Sequence, residues 1–273
     1  MDNRFLFLGG DRRIIYTARK IAEHYDVSSL GLPTEFSPPS GRYRYIVLPL
    51  PAIKGEHINA PLADKPLPLS LVSEYADEGA VVLTGGTPQP LRELCSQRGL
   101  TLRDYYADEA LTLKNAYLTA EGAAALLIQN TEYSLLGTSV LITGGGRISL
   151  MLARLLRCFG ADVTVCARDS VQRMRASLEH CSTAEFSQLA TLCRRAAIVI
   201  NTVPATLFGE EQFSVLQKGS VFMELASRSP EEEQILAAKY GVQHIMAGGL
   251  PGKLSPKTAG EAIAQTILTE VCT

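Results

Sequence analysis

Residues 139–169, SVLITGGGRISLMLARLLRCFGADVTVCARD, read as an apolar strand, a turn of three glycines, an apolar helix and a second apolar strand. Glycines at 144, 145 and 146 let the backbone approach a diphosphate, and the N-terminus of the following helix offers free N–H groups and a partial positive charge. The second strand ends about 20 residues after the turn, as in the Rossmann dinucleotide fingerprint. We predict a dinucleotide site here; the alternative is a glycine-rich turn that binds nothing.

The start of the helix after this turn departs from the fingerprint at one position. The third glycine is replaced by Ser149, so a Cβ and a hydroxyl have to fit between helix and strand. Because that position tolerates Ala, we expect a modest packing penalty. Arg147 and Ile148 open the helix, and together with Gly144, Gly145 and Gly146 they are the predicted diphosphate-binding residues.

The end of the second strand predicts which cofactor is bound. An NAD-specific site usually places Asp or Glu there to bind the ribose hydroxyls, but this chain has Arg168, and Asp169 stands one residue later. A guanidinium can pair with a 2′-phosphate, a contact of roughly 1.5 to 3 kcal/mol. We therefore predict NADP rather than NAD. Two alternatives remain open: Arg168 is a solvated charge, or Asp169 binds the ribose.

Strands and helices alternate along the whole chain, which predicts an α/β protein. Ten of the 14 prolines lie at positions 33–90 and none at 91–203, so we expect two domains: a smaller N-terminal α/β domain and a C-terminal doubly wound parallel (Rossmann-type) sheet. The predicted parts are residues 1–114, a connecting helix at 115–134, the NADP-binding domain at 135–257, and a last helix at 258–273 of the kind that two-domain dehydrogenases commonly return to the first domain.

Individual elements follow from apolar runs and their spacing. In the first domain we predict strands at 5–8, 45–48 and 80–83, helices at about 11–24 and 90–98, and an irregular loop at 52–70. In the second we predict strands at 139–143, 163–167, 197–201, 220–225 and 242–246, and helices at 148–159, 171–179, 184–194 and 231–239.

The charge balance excludes several classes of function. The 26 Lys+Arg and 28 Asp+Glu give a formal net charge of -2, so no basic surface for nucleic acid is expected. The longest apolar run, Ala123–Ile128, is too short to span a bilayer, and the polar start is followed by no stretch of signal-peptide length. We expect a soluble cytoplasmic protein that binds a small molecule and neither nucleic acid nor a membrane.

Cysteine and histidine usage predicts neither disulfides nor a metal site. The six cysteines form no CxxC pair, and a chain of this length does not need disulfides, so we expect all six to be reduced. The four histidines show no spacing that places two of them on one helix face as metal ligands.

Small and polar residues follow three strands of the predicted second sheet, at 201–204, 226–230 and 247–252. In a doubly wound sheet the ligand lies outside the carboxyl ends of the strands. We therefore expect Thr202, Val203 and Pro204 to contact the cofactor, and a hydride-transfer cleft to lie at this edge. VINTVP at 199–204 is also compatible with other two-domain dehydrogenases.

Four strings resemble the A subunit of dipicolinate synthase, a family of spore-forming bacteria: NAYLTAEG at 115–122, VINTVP at 199–204, LASR at 225–228 and, most specifically, GLPGKLSPKTAG at 249–260. Before about residue 100 the resemblance is weaker and rests on 7–11 and 47–49. At the glycine turn the family usually has GLGRTG, and this chain has GGGRIS, with Arg147 in register.

This resemblance implies NADP-dependent oxidation of a dihydro- or tetrahydrodipicolinate from the lysine pathway to dipicolinate during sporulation, with the flavoprotein B subunit of dipicolinate synthase as partner. Such a dicarboxylate needs cations in a partly dry cleft. We predict Arg228 and Lys257 as substrate anchors, with Asn201 and Ser227 as hydrogen-bonding neighbours. The alternatives are that Lys257 only begins the last helix and that Arg228 pairs with Glu224 or Glu232 at the surface.

The sequence does not assign a general base. Glu121 fits a helix-dipole role, and His244 fits a hydrogen-bonded core position. Two other functions remain open: another two-domain dehydrogenase acting on shikimate, alanine or methylene-tetrahydrofolate, and a protein that binds NADP without turnover. Oligomeric state, including a homo-oligomer, also remains open.

Overall fold

The structure, a computed structural model, describes residues 4–33, 35–226 and 231–272. The chain forms two compact units, Met1–Asn115 with Pro251–Thr273, and Ala116–Leu250. The sequence placed these divisions differently, with a connecting segment at 115–134 and the end of the second domain at 257. Each unit is an α/β structure around a parallel sheet, and the predicted fold class is confirmed.

The helices and strands before residue 105 are β1 (Phe5–Leu8), α1 (Arg12–Ala22), β2 (Val27–Leu30), β3 (Tyr43–Val47), β4 (Ile53–Lys54), β5 (His57–Ile58), β6 (Leu67–Pro68), α2 (Leu71–Tyr75), β7 (Ala76–Thr84), α3 (Gln89–Arg98) and β8 (Thr101–Asp104). Those after it are α4 (Glu109–Asn130), β9 (Ser139–Thr143), α5 (Arg147–Cys158), β10 (Asp162–Cys166), α6 (Ser170–Leu178), β11 (Ser182–Ala184), α7 (Leu189–Cys193), β12 (Ile198–Asn201), α8 (Glu210–Phe213), β13 (Val221–Glu224), α9 (Glu231–Tyr240), β14 (Gln243–Met246), α10 (Leu250–Leu254) and α11 (Pro256–Cys272).

In the described part of the first unit, five parallel strands lie in the order β2-β1-β3-β7-β8. All four residues of β1 are fully buried, as expected for a parallel strand covered on both faces. The predicted strands at 5–8, 45–48 and 80–83 correspond to β1, β3 and β7. The sequence missed β2 and β8, which are the two edge strands and have no continuous apolar run (VSSL and TLRD).

Residues 52–70 were predicted as an irregular loop, and this prediction is wrong. β4, β5 and β6 form a small antiparallel sheet there. Each of these strands has two residues, which is too short for the alternation of apolar and polar residues that identifies a strand in sequence. Ile58 and Leu67 are paired across this sheet and buried, so the segment packs through two apolar side chains.

The second unit contains six parallel strands, within its described residues, in the order β11-β10-β9-β12-β13-β14. This is the doubly wound order, in which the chain runs outward from β9 and then returns to its other side. The sequence predicted one helix over 184–194, whereas the structure has β11, a 3-10 turn and the short α7. The predicted connecting helix at 115–134 is also shifted, because α4 runs from Glu109 to Asn130.

No helix in the described part of the chain is long and apolar enough to cross a membrane. The same residues contain no cluster of three His, Cys, Asp or Glu side chains with a geometry suited to a metal ion. The five cysteines whose side chains are described are all free thiols, and burial raises the pKa of Cys166 to about 11.

In the first unit, α11 packs against α1 at very short range. A Cβ built on Gly260 would lie 2.3 Å from the Arg13 carbonyl oxygen and 2.7 Å from the Tyr16 Cβ. The hydroxyl of Thr17, which is fully buried, lies 3.0 Å from the carbonyl oxygens of both Arg13 and Gly260. The helices therefore touch backbone to backbone, and only glycine fits at position 260.

Gly260→Ala is expected to separate these helices and to cost about 1 to 3 kcal/mol of stability, because the added methyl group meets backbone atoms that cannot move independently. Gln265→Ala, an exposed position on the same helix, is the control and is expected to melt like wild type. Thermal unfolding measured by circular dichroism checks both variants. A Gly260→Ala protein as stable as the control would contradict the close packing.

Candidate functional site

A cavity of about 430 Å³ opens beside the carboxyl ends of β9, β10 and β12. Its size lies in the range of small-molecule and cofactor sites. Three loops line it, those that follow these strands, together with Gln172 of α6 and Phe186 from the turn after β11. The lining residues are Gly144, Gly145, Gly146, Arg168, Asp169, Gln172, Phe186, Thr202, Val203, Pro204, Ala205 and Leu207.

The structure thus brings together seven of the predicted cofactor residues: the three glycines, Arg168, Thr202, Val203 and Pro204. Two others, Arg147 and Ile148, do not line the cavity but form the first turn of α5 beside it.

The glycine turn brings backbone to the cavity wall at positions where side chains do not fit. Gly144 has φ +92°, and a Cβ there would lie 2.6 Å from the Thr202 hydroxyl oxygen. A Cβ on Gly145 would lie 2.5 Å from the Gln172 Cβ, whereas a Cβ on Gly146 would meet nothing within 4 Å. The first two glycines are required by the fold itself. Gly146 also lines the cavity, and the open space beside it is a cradle that a Cβ would fill.

The start of α5 suits an anion. This helix has 12 residues, and in the described part of the chain no side chain caps it at Gly146. The neighbouring α6, in contrast, is capped by Asp169, whose Oδ1 accepts a hydrogen bond from the Gln172 amide at 2.9 Å. Backbone N–H groups at an uncapped helix start favour a negative charge. The geometry and chemistry of this turn therefore fit the diphosphate of a dinucleotide.

Ser149 is more than a tolerated replacement for glycine. Its side chain is fully buried, and its hydroxyl lies 2.7 Å from that of Thr202. Since Thr202 donates its hydroxyl hydrogen to the Thr143 carbonyl oxygen at 2.7 Å, Ser149 is the donor to Thr202. The expectation of a packing penalty missed this bond, which ties α5 to the loop after β12.

The rim of the cavity after β10 carries Arg168, which is exposed. Behind it, Arg173 donates from Nη1 to the carbonyl oxygens of Ala167 at 2.8 Å and Arg168 at 2.7 Å, and from Nη2 to Glu185 at 2.8 Å. Arg173 therefore fixes the backbone from which the Arg168 side chain projects. Arg173 was not predicted from sequence, because an arginine inside a helix carries no signal of its own.

Apolar walls of the cavity come from Phe186 and Leu207. Neither was predicted, since each lies in a loop between elements and belongs to no recognisable motif. Both are positioned by tertiary packing alone, as part of the hydrophobic cluster that includes Phe208 and Phe222.

Asn201 was predicted to contact substrate, but its side chain is fully buried and does not line the cavity. Its Oδ1 accepts from the Thr143 hydroxyl at 2.7 Å, and its Nδ2 donates to Glu224 at 2.8 Å. Glu224 is fully buried as well. Asn201 lies behind the cavity wall and supports it.

The other predicted substrate residues, Ser227, Arg228 and Lys257, are not among the described residues that line this cavity. Ser227 and Arg228 lie outside the described residues. Lys257 belongs to the first unit, where it is exposed and follows Pro256 at the start of α11.

Neither side chain considered as a general base lines the cavity. Glu121 is exposed on α4. The half-buried ring of His244 stacks on Phe222 with ring centres 5.5 Å apart, and burial lowers the pKa of His244. The sequence predicted a hydrogen-bonded core residue, but the buried Nε2 of His244 has no hydrogen-bond partner within the described residues.

Comparison with known families accounts for most of the chain. Residues 4–106 match the family described as the N-terminal domain of the dipicolinate synthase A subunit. The resemblance to this family is confirmed. Residues 118–249 match the NAD binding domain of D-isomer specific 2-hydroxyacid dehydrogenases. A domain of this type indicates an oxidoreductase with a nicotinamide dinucleotide cofactor.

Similar proteins extend the match over the whole length. The dipicolinate synthase A subunit of Bacillus subtilis (strain 168) is 27% identical over 276 residues, which cover 95% of this chain and 93% of that protein. The solved structure of the A subunit from Bacillus halodurans is 23% identical, with a TM-score of 0.88 over 100% of this chain and 99% of that one. The solved structure from Bacillus subtilis is 25% identical, with a TM-score of 0.85 over 100% and 96%.

Gly146→Ala is expected to leave the fold intact and to weaken dinucleotide binding by about tenfold or more, because its Cβ enters the space that a diphosphate needs. Gly209→Ala is the matched control: Gly209 also precedes a helix, has negative φ and has room for a Cβ, but lies outside the cavity. Isothermal titration with NADP+ and NAD+, alongside thermal melting, checks both variants. Equal affinities of the two variants would contradict the assignment of the cradle.

Proposed function

We propose that this chain is an NADP-dependent oxidoreductase that oxidises a dihydro- or tetrahydrodipicolinate to dipicolinate during sporulation. The observation that carries the proposal is the cavity beside the glycine turn, with Arg168 on its rim and an uncapped α5 beside it. The family resemblance supplies the substrate. When bound, NADP+ accepts a hydride from a ring C–H, and loss of a proton completes each two-electron step toward the aromatic pyridine.

The residues of the cavity divide between the two halves of the cofactor. In a doubly wound sheet, the dinucleotide lies across the point where the strand order reverses, here between β9 and β12. The loop after β10 accordingly takes the adenosine half, with Phe186 and Leu207 as apolar contacts. The loop after β12, with Thr202, Val203 and Pro204, takes the nicotinamide half. The amides from Gly145 to Ile148 hold the diphosphate between them, whereas the Gly144 amide donates to the Cys166 carbonyl oxygen at 2.8 Å.

Arg168 is the residue proposed to select NADP. A guanidinium on the rim pairs with a 2′-phosphate through charge-assisted hydrogen bonds. Asp169 would favour NAD by accepting from ribose hydroxyls, but its Oδ1 already accepts from the Gln172 amide. This capping bond gives the carboxylate a role in α6 that does not involve a ribose, which supports the choice of NADP.

For the substrate we retain Arg228 and Lys257 as proposed carboxylate anchors and Ser227 as a hydrogen-bonding neighbour, and we assign Asn201 to support of the cavity wall. Orienting the reacting C–H toward the cofactor and holding two carboxylates supplies most of what the reaction requires, since aromatisation provides driving force.

The proposal extends to a partner and a location. The similar proteins are described as the A subunit of dipicolinate synthase, which implies that a second subunit exists. We propose that the partner of this chain is a flavoprotein, the B subunit of the enzyme, and we place the assembly in the cytoplasm.

The variants Arg168→Ala and Arg168→Asp are expected to weaken NADP+ binding by roughly 10- to 100-fold, the value of a charge-assisted phosphate contact, while NAD+ binding changes little. Arg175→Ala removes an exposed arginine of α6 that does not line the cavity and serves as control. Titration of each protein with both cofactors measures the preference. Unchanged NADP+ affinity in both Arg168 variants would show that this residue does not select the cofactor.

Turnover decides between the proposed reaction and its alternatives. The purified chain, with and without the flavoprotein, is mixed with NADP+ and freshly generated dihydrodipicolinate, and NADPH absorbance and pyridine dicarboxylate are measured. We expect equal amounts of both products. Parallel reactions contain shikimate, alanine or methylene-tetrahydrofolate. NADP+ reduction with one of these instead would identify a different dehydrogenase, and cofactor binding without reduction by any substrate would identify a non-catalytic protein.

A further inference from the structure

Three fully buried polar side chains are connected across neighbouring strands of the second unit. Thr143 ends β9, Asn201 ends β12 and Glu224 ends β13. The Thr143 hydroxyl donates to Asn201 Oδ1 at 2.7 Å, and Asn201 Nδ2 donates to Glu224 Oε2 at 2.8 Å. Burial of a carboxylate is costly unless hydrogen bonds compensate it, so this chain of contacts needs a physical reason.

The carboxylate of Glu224 fixes the orientation of the Asn201 amide. Glu224 accepts on both oxygens, from Asn201 Nδ2 and, at 2.7 Å, from the Ala226 amide. Since an ionised carboxylate only accepts, the NH₂ group of Asn201 has to face Glu224. The oxygen of Asn201 is then directed the other way, where it accepts from the Val203 amide at 3.1 Å.

Through this orientation, the buried carboxylate determines the shape of the cavity wall. Asn201 holds Val203 at both backbone groups, because Nδ2 also donates to the Val203 carbonyl oxygen at 3.2 Å. Val203 lines the cavity, as do its neighbours Thr202 and Pro204. The loop that faces the ligand is therefore held from behind by side chains that do not themselves line the cavity.

We propose that Glu224 is a positioning residue for the nicotinamide half of the cofactor, acting through Asn201 on the loop 202–204. This inference rests on the proposed function, since it requires a dinucleotide in the cavity. The diphosphate turn and the Arg168 rim lie on β9 and β10, whereas Glu224 acts on the loop of β12. Within that loop Glu224 acts on residues 202–204 and not on Leu207, so it affects the nicotinamide half and leaves the adenosine half unaffected.

The variant Glu224→Gln distinguishes a positioning role of the carboxylate from a role in which the side chain only fills space in the core. Glutamine has the same shape but one acceptor and one donor, so its NH₂ group faces either the Ala226 amide or Asn201 Nδ2, both of which are donors. Rotation of the Asn201 amide would relieve the second conflict. That rotation would turn the NH₂ group of Asn201 toward the Val203 N–H and release the loop.

Exchanging the carboxylate and the amide between positions 224 and 201 is expected to restore the hydrogen bonds between these two side chains. In the double variant Glu224→Gln with Asn201→Asp, the Gln NH₂ donates to the new Asp, and the Gln oxygen accepts from Ala226. The Asp still accepts from Thr143 and Val203. Of the hydrogen bonds named above among the described residues, the one from Asn201 to the Val203 carbonyl, the longest at 3.2 Å, is lost. The single variant Asn201→Asp sets two carboxylates against each other and is expected to be the worst of the three.

The experiment measures affinities of wild type and the three variants for NADP+ and for 2′,5′-ADP, which lacks the nicotinamide half, together with thermal melting of the free proteins. For Glu224→Gln we expect NADP+ affinity to fall about tenfold, the loss of one well-placed hydrogen-bond arrangement, and 2′,5′-ADP affinity to remain at the wild-type value. The double variant is expected to recover NADP+ affinity to within about threefold.

Several results would overturn the inference. Wild-type NADP+ affinity in Glu224→Gln would show that the carboxylate does not position the loop, and equal losses for NADP+ and 2′,5′-ADP would show a general structural role. If Glu224→Gln does not fold, the double variant decides, because it has to fold and bind NADP+ near the wild-type affinity. Wild-type protein that binds neither ligand would refute the proposed function itself. If wild type binds both ligands and the variants do not behave as expected, only the role assigned to Glu224 is refuted.

Discussion

The hydrogen bond between Thr143 and Asn201 joins the two strands between which the order of the second sheet reverses. Thr143 and Asn201 are the last partners in the β9–β12 ladder, and beyond them the two loops diverge. A parallel sheet leaves a crevice where its connections depart in opposite directions. The side-chain bond at this point holds the two strand ends in register, so that the glycine turn and the loop 202–204 start from fixed positions on either side of the crevice.

Short backbone approaches are a second constraint, and two of them occur in one string near the end of the chain. In GLPGKLSPKTAG, a Cβ on Gly252 would lie 2.6 Å from the Asp11 carboxylate, and one on Gly260 would lie 2.3 Å from the Arg13 carbonyl oxygen. Asp11 caps α1, and the largely buried Arg13 pairs with it at 2.9 Å. Both glycines therefore pack on the start of the same helix. Residues 251–260 of this string are therefore a packing motif of the first unit.

Features with a local signal could be predicted from sequence, whereas those that depend on a distant partner could not. The strand β9, the glycine turn and α5 follow from one continuous stretch of apolar runs and glycines. The missed strands β2, β8 and β11 are short edge strands without an apolar run, and their pairing is decided by the neighbouring strand.

Glu224 ends the strand VFME, where a charged residue usually indicates solvent, yet its burial depends on Asn201, 23 residues earlier. Ser149 is similar, because its hydroxyl bonds to Thr202, 53 residues later.

Asp169 shows that an acidic residue near a strand end does not by itself identify the cofactor, because it also caps a helix. A carboxylate at the start of a helix is favoured there by the helix dipole and by the free amides of the first turn, and Asp169 occupies that position on α6. The presence of an acid after β10 is thus explained without any ribose. Arg168, in contrast, is exposed at this rim, on backbone that Arg173 holds. In the proposed function, this positive charge complements the 2′-phosphate that distinguishes NADP from NAD.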